Sequence, residues 1–283
     1  MAHPVAIVDF SYCLHLYRRA YKDIARFDSG GKAYPAGHIY GAIRVIQEMS
    51  FQYKAVILAI DSRAQCRYDI LPTYKSGRHS PTGDPYEDYP IMSDLLNILK
   101  ICTYRQNVFY IKHPGMESDD IIASWIEASN ADDRKELYCY FNDVDILQNL
   151  GKFHWHRNFH EPEASRIEYI KRKFGLDLDY LPVWWKVVRG DRSDGIPSSI
   201  PRFPTKKLQS LCMEAVGDER DIPWFLSKVG ETPFQEAIER NFDMVRPRIV
   251  PLSEFKLKRL GCTEGEVSEL LRYYQINGYV PTA

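Results

Sequence analysis

The sequence predicts an α/β fold, a mostly parallel sheet flanked by helices and followed by a helical C-terminal region, and two observations carry that expectation. Short apolar runs at Val5 to Val8, Ala55 to Ile60, Val108 to Ile111 and Leu137 to Phe141 have the length of buried parallel strands, and helix-length segments separate them. Beyond about Arg157 the strand signals fade, and helical spacing remains at Arg166 to Phe174, Leu181 to Val188, Thr205 to Val216 and Glu264 to Tyr274.

Taken in order, the first apolar run ends on Asp9 and the second on Asp61, with helical spacing between them over Ala36 to Tyr53. From Tyr74 to Tyr89 the composition turns to Lys, Gly, His, Ser, Pro, Thr and Asp, which predicts an exposed segment interrupting the α/β rhythm. A second helix is expected over Ser118 to Ala128, with Ser118 as its N-cap. His154 and His156 alternate in KFHWHRNFH, with His160 just beyond, and a strand with one polar face explains them more simply than a metal site. Trp184 and Trp185 fall in a helical stretch and read as packing anchors.

The bulk numbers narrow the classes. At 283 residues and 45% hydrophobic the chain has enough apolar surface for a substantial core. Its 37 Lys and Arg nearly cancel 38 Asp and Glu, so a globally basic nucleic-acid binder is excluded and any such surface must be local. Six cysteines without a CxxC pair argue against a zinc site or a disulfide framework and fit a reducing cytosol. MAHPVAIVDF is too short and wrongly flanked for a signal peptide or a membrane span, so a soluble, cytoplasmic protein is expected.

The chemistry lies in the acids. Asp9 and Asp61 should stand at the carboxyl ends of parallel strands, where open α/β sheets place their ligands, although either alone reads more readily as a cap for the next helix or turn. Glu117, Asp119 and Asp120 crowd the start of a helix in GMESDDIIASWI, where the dipole welcomes one or two carboxylates but three repel unless a cation neutralises them. Asp143 and Asp145 follow the strand LYCYF, and Asp191 and Asp194 lie in the turn-like VVRGDRSDGIP. Nine acids in five clusters form an all-oxygen donor set, which selects magnesium or manganese over zinc. Two such ions about 4 Å apart can activate a water and stabilise the leaving oxygen of a phosphodiester. Arg67, Lys75 and Arg78, downstream of Asp61, are cations able to hold a phosphate, and Tyr74 is an aromatic able to stack on a terminal base.

With those residues in view, the chain resembles the flap endonuclease and 5′-3′ exonuclease family, especially its small phage members such as the T-even phage ribonuclease H and the 5′-nuclease domain of bacterial DNA polymerase I. IVDFSYCLHLYRRAY and ILAIDSRAQCRYDILPTYKSGR are similar to the family's first two Asp motifs with their Arg and Tyr-Lys positions. GMESDDIIA resembles its Gly-x-Glu-x-Asp-Asp block, NDVDILQNL its Gly-Asp-x-Asp, and RGDRSDGIP its Gly-Asp-x-x-Asp-Asn-Ile-Pro. The resemblance implies a PIN-like nuclease domain over residues 1–160, with a helical arch at about 74–92, and a helical region over 161–283 carrying a helix-turn-helix-like duplex-binding segment. It implies two Mg2+ (or Mn2+) ions. Asp9, Asp61, Glu117 and Asp119 would hold one, with Asp120 nearby, and Asp143, Asp145, Asp191 and Asp194 would surround the other. Lys75 and Arg78 would engage phosphate, with Arg67 in support.

One block departs from the family. GIPSSIPRFPTKKLQSL carries Ser198, Ser199, Pro201, Phe203 and Pro204 where a Gly-x-Gly hairpin is expected, so a nest of backbone amides for duplex phosphate should be altered or lost. Arg202, Lys206 and Lys207 are the expected electrostatic replacement, within a stretch from Arg166 to Lys207 whose ten Lys and Arg, Lys186 among them, outnumber five acids. The expected reading is a monomeric 5′ nuclease for DNA with 5′ ends, flaps or RNA primers, working beside a single-strand-binding protein or polymerase, with no membrane partner. Two alternatives are a PIN-type ribonuclease and a catalytically weak DNA-binding paralogue that kept the fold.

Overall fold

Each predicted strand forms, and a fifth joins them at the edge. A computed structural model describes residues 4–76, 91–130, 136–149, 151–215, 221–230 and 233–276. In chain order the elements are β1 (Val5–Asp9), α1 (Phe10–Ala20), β2 (Ala25–Phe27), β3 (Ala33–Pro35), α2 (Gly37–Gln52), β4 (Ala55–Ile60), α3 (Gln65–Ile70), α4 (Leu95–Thr103), β5 (Val108–Lys112), α5 (Ser118–Ser129), β6 (Leu137–Tyr140) and β7 (His154–His156). Helices follow: α6 (Arg166–Phe174), α7 (Val183–Arg189), α8 (Thr205–Glu214), α9 (Ile222–Val229), α10 (Gln235–Val245) and α11 (Glu264–Tyr273). The strand expected around His154 and His156 is β7. Short β2 and β3 pair as an antiparallel hairpin that no periodicity signalled, because three residues are too few to show a period.

The five-stranded sheet is parallel throughout, in the order β5-β4-β1-β6-β7. The chain winds outward from β1 through β4 to β5, then returns to the other side of β1 as β6. That reversal opens a crevice beyond the carboxyl ends of β1 and β6, the usual ligand edge of such sheets. Register brings Asp9 level with Ala59, one residue short of the end of β4, so Asp9 and Asp61 finish neighbouring strands.

Period-two alternation splits the strand residues between two cores. Ile7, Ile57, Ala59, Ile111, Leu137, Cys139 and Trp155 face one side and pack with Ile121, Ile122 and Ile126 of α5, Phe174 of α6, Trp184 and Val187 of α7 and Phe225 of α9. Ala6, Val8, Val56, Leu58, Ile60 and Val108 face the other and meet α1, α2, α4 and Val267 and Leu271 of α11. The closest helix approach lies at Gly41, where a Cβ would stand 2.3 Å from the Tyr17 ring, so only glycine lets α1 and α2 pack as they do. Trp184 is buried against Phe225, with ring centroids 4.3 Å apart, and is the packing anchor its helical position suggested.

Candidate active site at the carboxyl edge of the sheet

The strand ends deliver the first carboxylates. Asp9 ends β1 and caps α1, its Oδ1 accepting the Tyr12 amide at 3.0 Å and the Ser118 hydroxyl at 3.3 Å. Asp61, just past β4, accepts the Ser118 amide at 2.8 Å. Asp143 follows β6 and accepts the Asp145 amide at 2.9 Å while starting a 3₁₀ turn over Val144–Gln148. Ser118 was expected to cap α5, but the cap is Glu117, which forms a reciprocal capping box with Asp120. Ser118 instead sits inside the first turn and donates to Asp9 and Asp61, tying the helix start to both strand ends.

Asp9, Asp61, Asp119 and Asp143 form no ion pair among the described residues. Their environment is therefore dominated by burial and by one another. Burial first, then Asp61, push the Asp9 carboxyl up to about 7 against the Tyr12 amide. Asp119 rises well above the usual carboxylate range through burial and the charges of Asp143, Asp9, Asp61 and Asp145.

The remaining acids are engaged by protein donors. Glu117 Oε1 accepts Lys75 Nζ at 2.6 Å, and its Oε2 accepts Arg67 Nη1 at 2.5 Å and the Tyr74 hydroxyl at 2.8 Å. Asp120 gives Oδ1 to Arg67 Nη2 at 2.7 Å and to the Arg248 amide at 2.8 Å, and Oδ2 to the Glu117 amide at 3.1 Å. Both its oxygens are thus used within the fold, and Asp120 holds the loop rather than facing the crevice. Asp194 accepts the Tyr74 hydroxyl at 3.1 Å and lies 4.0 Å from Lys75 Nζ.

Asp145 and Asp191 share a cation that sequence reasoning had assigned to a duplex-binding surface. Lys186 is buried, with Nζ 2.6 Å from Asp145 Oδ1 and in contact with Asp191 Oδ2. Asp191 also accepts the amide and hydroxyl of Ser193. Burial works against its charge, but the Lys186 ammonium and those Ser193 donors outweigh it, and its pKa falls below the ordinary value. Asp145 goes the other way, to about 7, because burial and Asp143 outweigh Lys186. The one sequence signal for Lys186 was a short helix apolar nearly all round, with Val183, Trp184, Trp185, Val187 and Val188 leaving it no polar face; which way the lysine points is set by the tertiary packing.

Two expectations change with burial. Tyr74, expected to offer its ring to a base, is 3% exposed and edge-on to Tyr68, so its hydroxyl and not its face serves the site. Arg67, expected as a phosphate contact, is buried and spans Glu117 and Asp120. Lys75 keeps its place beside the acids, with a left-handed backbone at φ 56° and its amide bonded to the Asp194 carbonyl at 2.8 Å. Arg78 and most of the expected arch lie outside the described residues.

After α7 the chain turns sharply at Gly190 (φ 69°), where a Cβ would stand 2.3 Å from the Ile196 carbonyl oxygen. Asp191 and Ile196 pair across the turn, and buried Asn241 donates to the carbonyls of Val187 and Pro197, fixing the return. Arg202 adopts φ 57°, in left-handed backbone, and Lys206 and Lys207 are exposed on the first turn of α8.

A parallel sheet with a switch-point crevice lined by carboxylates and flanked by cations is an arrangement suited to the hydrolysis of anionic esters. The model of the 5′-3′ exonuclease N-terminal resolvase-like domain matches residues 4–175, and the chain belongs to that family, whose activity is that of a 5′ nuclease. A 5′-3′ exonuclease of Buchnera aphidicola is 26% identical over 272 residues, covering 91% of this chain and 86% of that protein. The T5 D15 flap endonuclease, solved as a complex with DNA and metal ions, superposes with a TM-score of 0.65 over 96% of this chain and all (100%) of that one, at 14% identity. The catalytic core of Rad2 with a DNA substrate gives 0.52 over 99% and 90% of the two chains, at 13% identity. Among the described residues no helix is long and apolar enough to cross a membrane.

Among the described residues no three carboxylate, His or Cys groups yet gather closely enough to enclose an ion. In kind, however, the donors fit divalent metal. They are all oxygen, they stand at one sheet edge, and Asp9 and Asp119 are held above their usual range by burial and then by neighbouring carboxylates.

Proposed function

We propose that the chain is a metal-dependent 5′ nuclease that hydrolyses phosphodiesters of DNA or RNA:DNA near 5′ ends, flaps or RNA primers. The observation that carries this reading is the group of buried Asp9 with half-buried Asp61, Asp119 and Asp143, carboxylates that repel one another and form no ion pair among the described residues. Carboxylates so arranged cost stability unless a cation neutralises them. On this reading Asp9, Asp61 and Asp119, backed by Glu117, would hold one Mg2+ or Mn2+, and Asp143, Asp145, Asp191 and Asp194 would face a second. Bound there, the ions would supply Lewis acidity and an activated water.

The chain's own side chains supply the rest. Lys75, next to the acids, and Arg78 are proposed to hold the scissile phosphate and neutralise charge developing on it. Arg67 and Tyr74 act through Glu117 and are positioning residues. Residues 1–160 would cut, while α7, the turn at Gly190 and α8, within 161–283, would hold duplex as a helix-turn-helix-like unit through Arg202, Lys206 and Lys207. The DNA and metal ions bound by the T5 enzyme support this reading. A monomer working beside a polymerase or single-strand-binding protein completes the proposal.

The test is cleavage of 5′-end-labelled flap, nicked duplex and RNA:DNA hybrid, with Mg2+ and again with EDTA. Metal-dependent product from flap or nicked duplex is expected. Product from none of the three would overturn the nuclease reading, and preference for single-stranded RNA would favour a PIN-type ribonuclease.

A further inference from the structure

The two acid groups differ in what neutralises them. Asp9, Asp61 and Asp119 form no ion pair among the described residues, Arg67 and Lys75 being paired with Glu117 behind them, whereas Asp145 and Asp191 of the second group converge on the ammonium of Lys186. That ammonium is not a surface charge that happens to drift near acids. Its side chain is 10% exposed and leaves a helix pinned to the core by Trp184, Val187 and Val188, and the Gly190 amide bonds the Lys186 carbonyl at 2.8 Å.

We infer that Lys186 is the tethered counter-cation of the second acid group and makes that group bind a divalent ion more weakly than the first. The inference rests on the proposed metal dependence and assigns a division of labour within it. The ammonium already draws on Asp145 Oδ1 and Asp191 Oδ2, so a divalent ion entering between these carboxylates must displace it or share their charge with it. Displacement leaves a lysine charge in a largely enclosed place, which is costly. Sharing puts two cations side by side. Either route penalises the second ion, and neither applies at Asp9, Asp61 and Asp119. The second ion is then taken up mainly when substrate phosphate adds negative charge, so the chain rests in a singly loaded state and completes the site on the nucleic acid.

The test is titration of the full chain with Mn2+ in the absence of nucleic acid, reading free Mn2+ by electron paramagnetic resonance. The unsubstituted protein is expected to take one ion tightly and a second roughly tenfold or more weakly, and Lys186→Met to strengthen only the second step by a similar factor, the usual worth of one close charge. Lys186→Arg keeps the charge and should retain the unequal steps, which separates electrostatics from packing. Melting curves report whether each variant is folded. Two equal steps in the unsubstituted protein would overturn the inference without need of a variant, as would a folded Lys186→Met whose second step is unchanged. In both cases the metal-dependent reading would stand. Absence of any Mn2+ binding would overturn both.

Discussion

The carboxyl edge of the sheet and the segment from α7 to α8 are neighbours, yet they hold charge in opposite ways. At the edge, acids are set by strand ends and a helix start, and backbone amides of Tyr12, Ser118 and Asp145 orient them without neutralising them. In the segment, cations are carried on side chains. Lys186 turns inward to acids, Arg189 donates to the Thr205 hydroxyl at 2.7 Å, and Arg202, Lys206 and Lys207 stay exposed. Geometry fixed by backbone suits a site that must hold ions to fractions of an ångström, whereas long basic side chains suit a polyanion whose phosphates need only be approached. The difference is one of tolerance, and each side can be tested by removing what defines it.

The largest effect is expected where the edge has no substitute. Asp119 forms no ion pair among the described residues and is crowded by four other carboxylates, so Asp119→Asn should lower Mg2+-dependent cleavage by at least about 10³-fold, the worth of several kcal/mol of lost transition-state stabilisation. Binding of the same flap duplex in EDTA should survive, because one negative charge has been removed from a phosphate-facing crevice. Steady-state cleavage and fluorescence anisotropy measure the two. Activity within a few-fold of the unsubstituted protein would remove Asp119 from the metal site.

A second consequence concerns pH. Folding raises the Asp9 and Asp145 carboxyls from 3.8 to about 7. A group whose pKa is raised by folding contributes stability that is fully present below its unfolded value and is lost as pH rises through the folded one. Without metal, the chain should therefore melt at a lower temperature at pH 8 than at pH 5.5, by several degrees, since about 1 kcal/mol moves the midpoint by roughly 2–4 °C at this size. Asp191, lowered by Lys186, acts only at more acid pH and does not disturb this window. Mg2+ should flatten the dependence by supplying the missing charge. Calorimetry in EDTA that finds equal midpoints at the two pH values would mean the edge is not electrostatically stressed.

The contrast also explains what could be read from the sequence. Strand runs ending on Asp9 and Asp61 announce both the sheet and its ligand edge, because strand length, apolar content and the terminal acid are all local signals. The order of the acids along the chain matched the family blocks for the same reason. Burial was not legible. Tyr74 and Arg67 lie in a stretch that looks like an exposed basic loop, and only the packing of α3 and the extended segment from Arg246 to Arg248 against α5 turns them inward onto Glu117 and Asp120. Lys186 was counted with the surface cations around it because charge composition carries no direction. Its inward aim depends on which face of α7 meets the core, set by Trp184 and Val187 across a fold that only tertiary contacts assemble.

The smallest effects belong to the basic segment, where several side chains share the work. Removing Lys206 and Lys207 together by Ala should weaken flap-duplex binding uniformly across sequences and flatten the dependence of log K on log salt by about 1 for each lysine that meets a phosphate. Turnover at saturating substrate should stay near that of the unsubstituted protein. Arg202→Gly sharpens the same point from the backbone side. A non-glycine residue at φ 57° carries roughly 1 kcal/mol of strain, so glycine there should raise the melting midpoint slightly while duplex affinity falls with the lost charge. Stability and binding moving in opposite directions would mark Arg202 as kept for its guanidinium. If both variants leave the salt dependence unchanged, duplex is held elsewhere, and the contrast between a backbone-set acidic edge and a side-chain-set basic grip fails on its basic side.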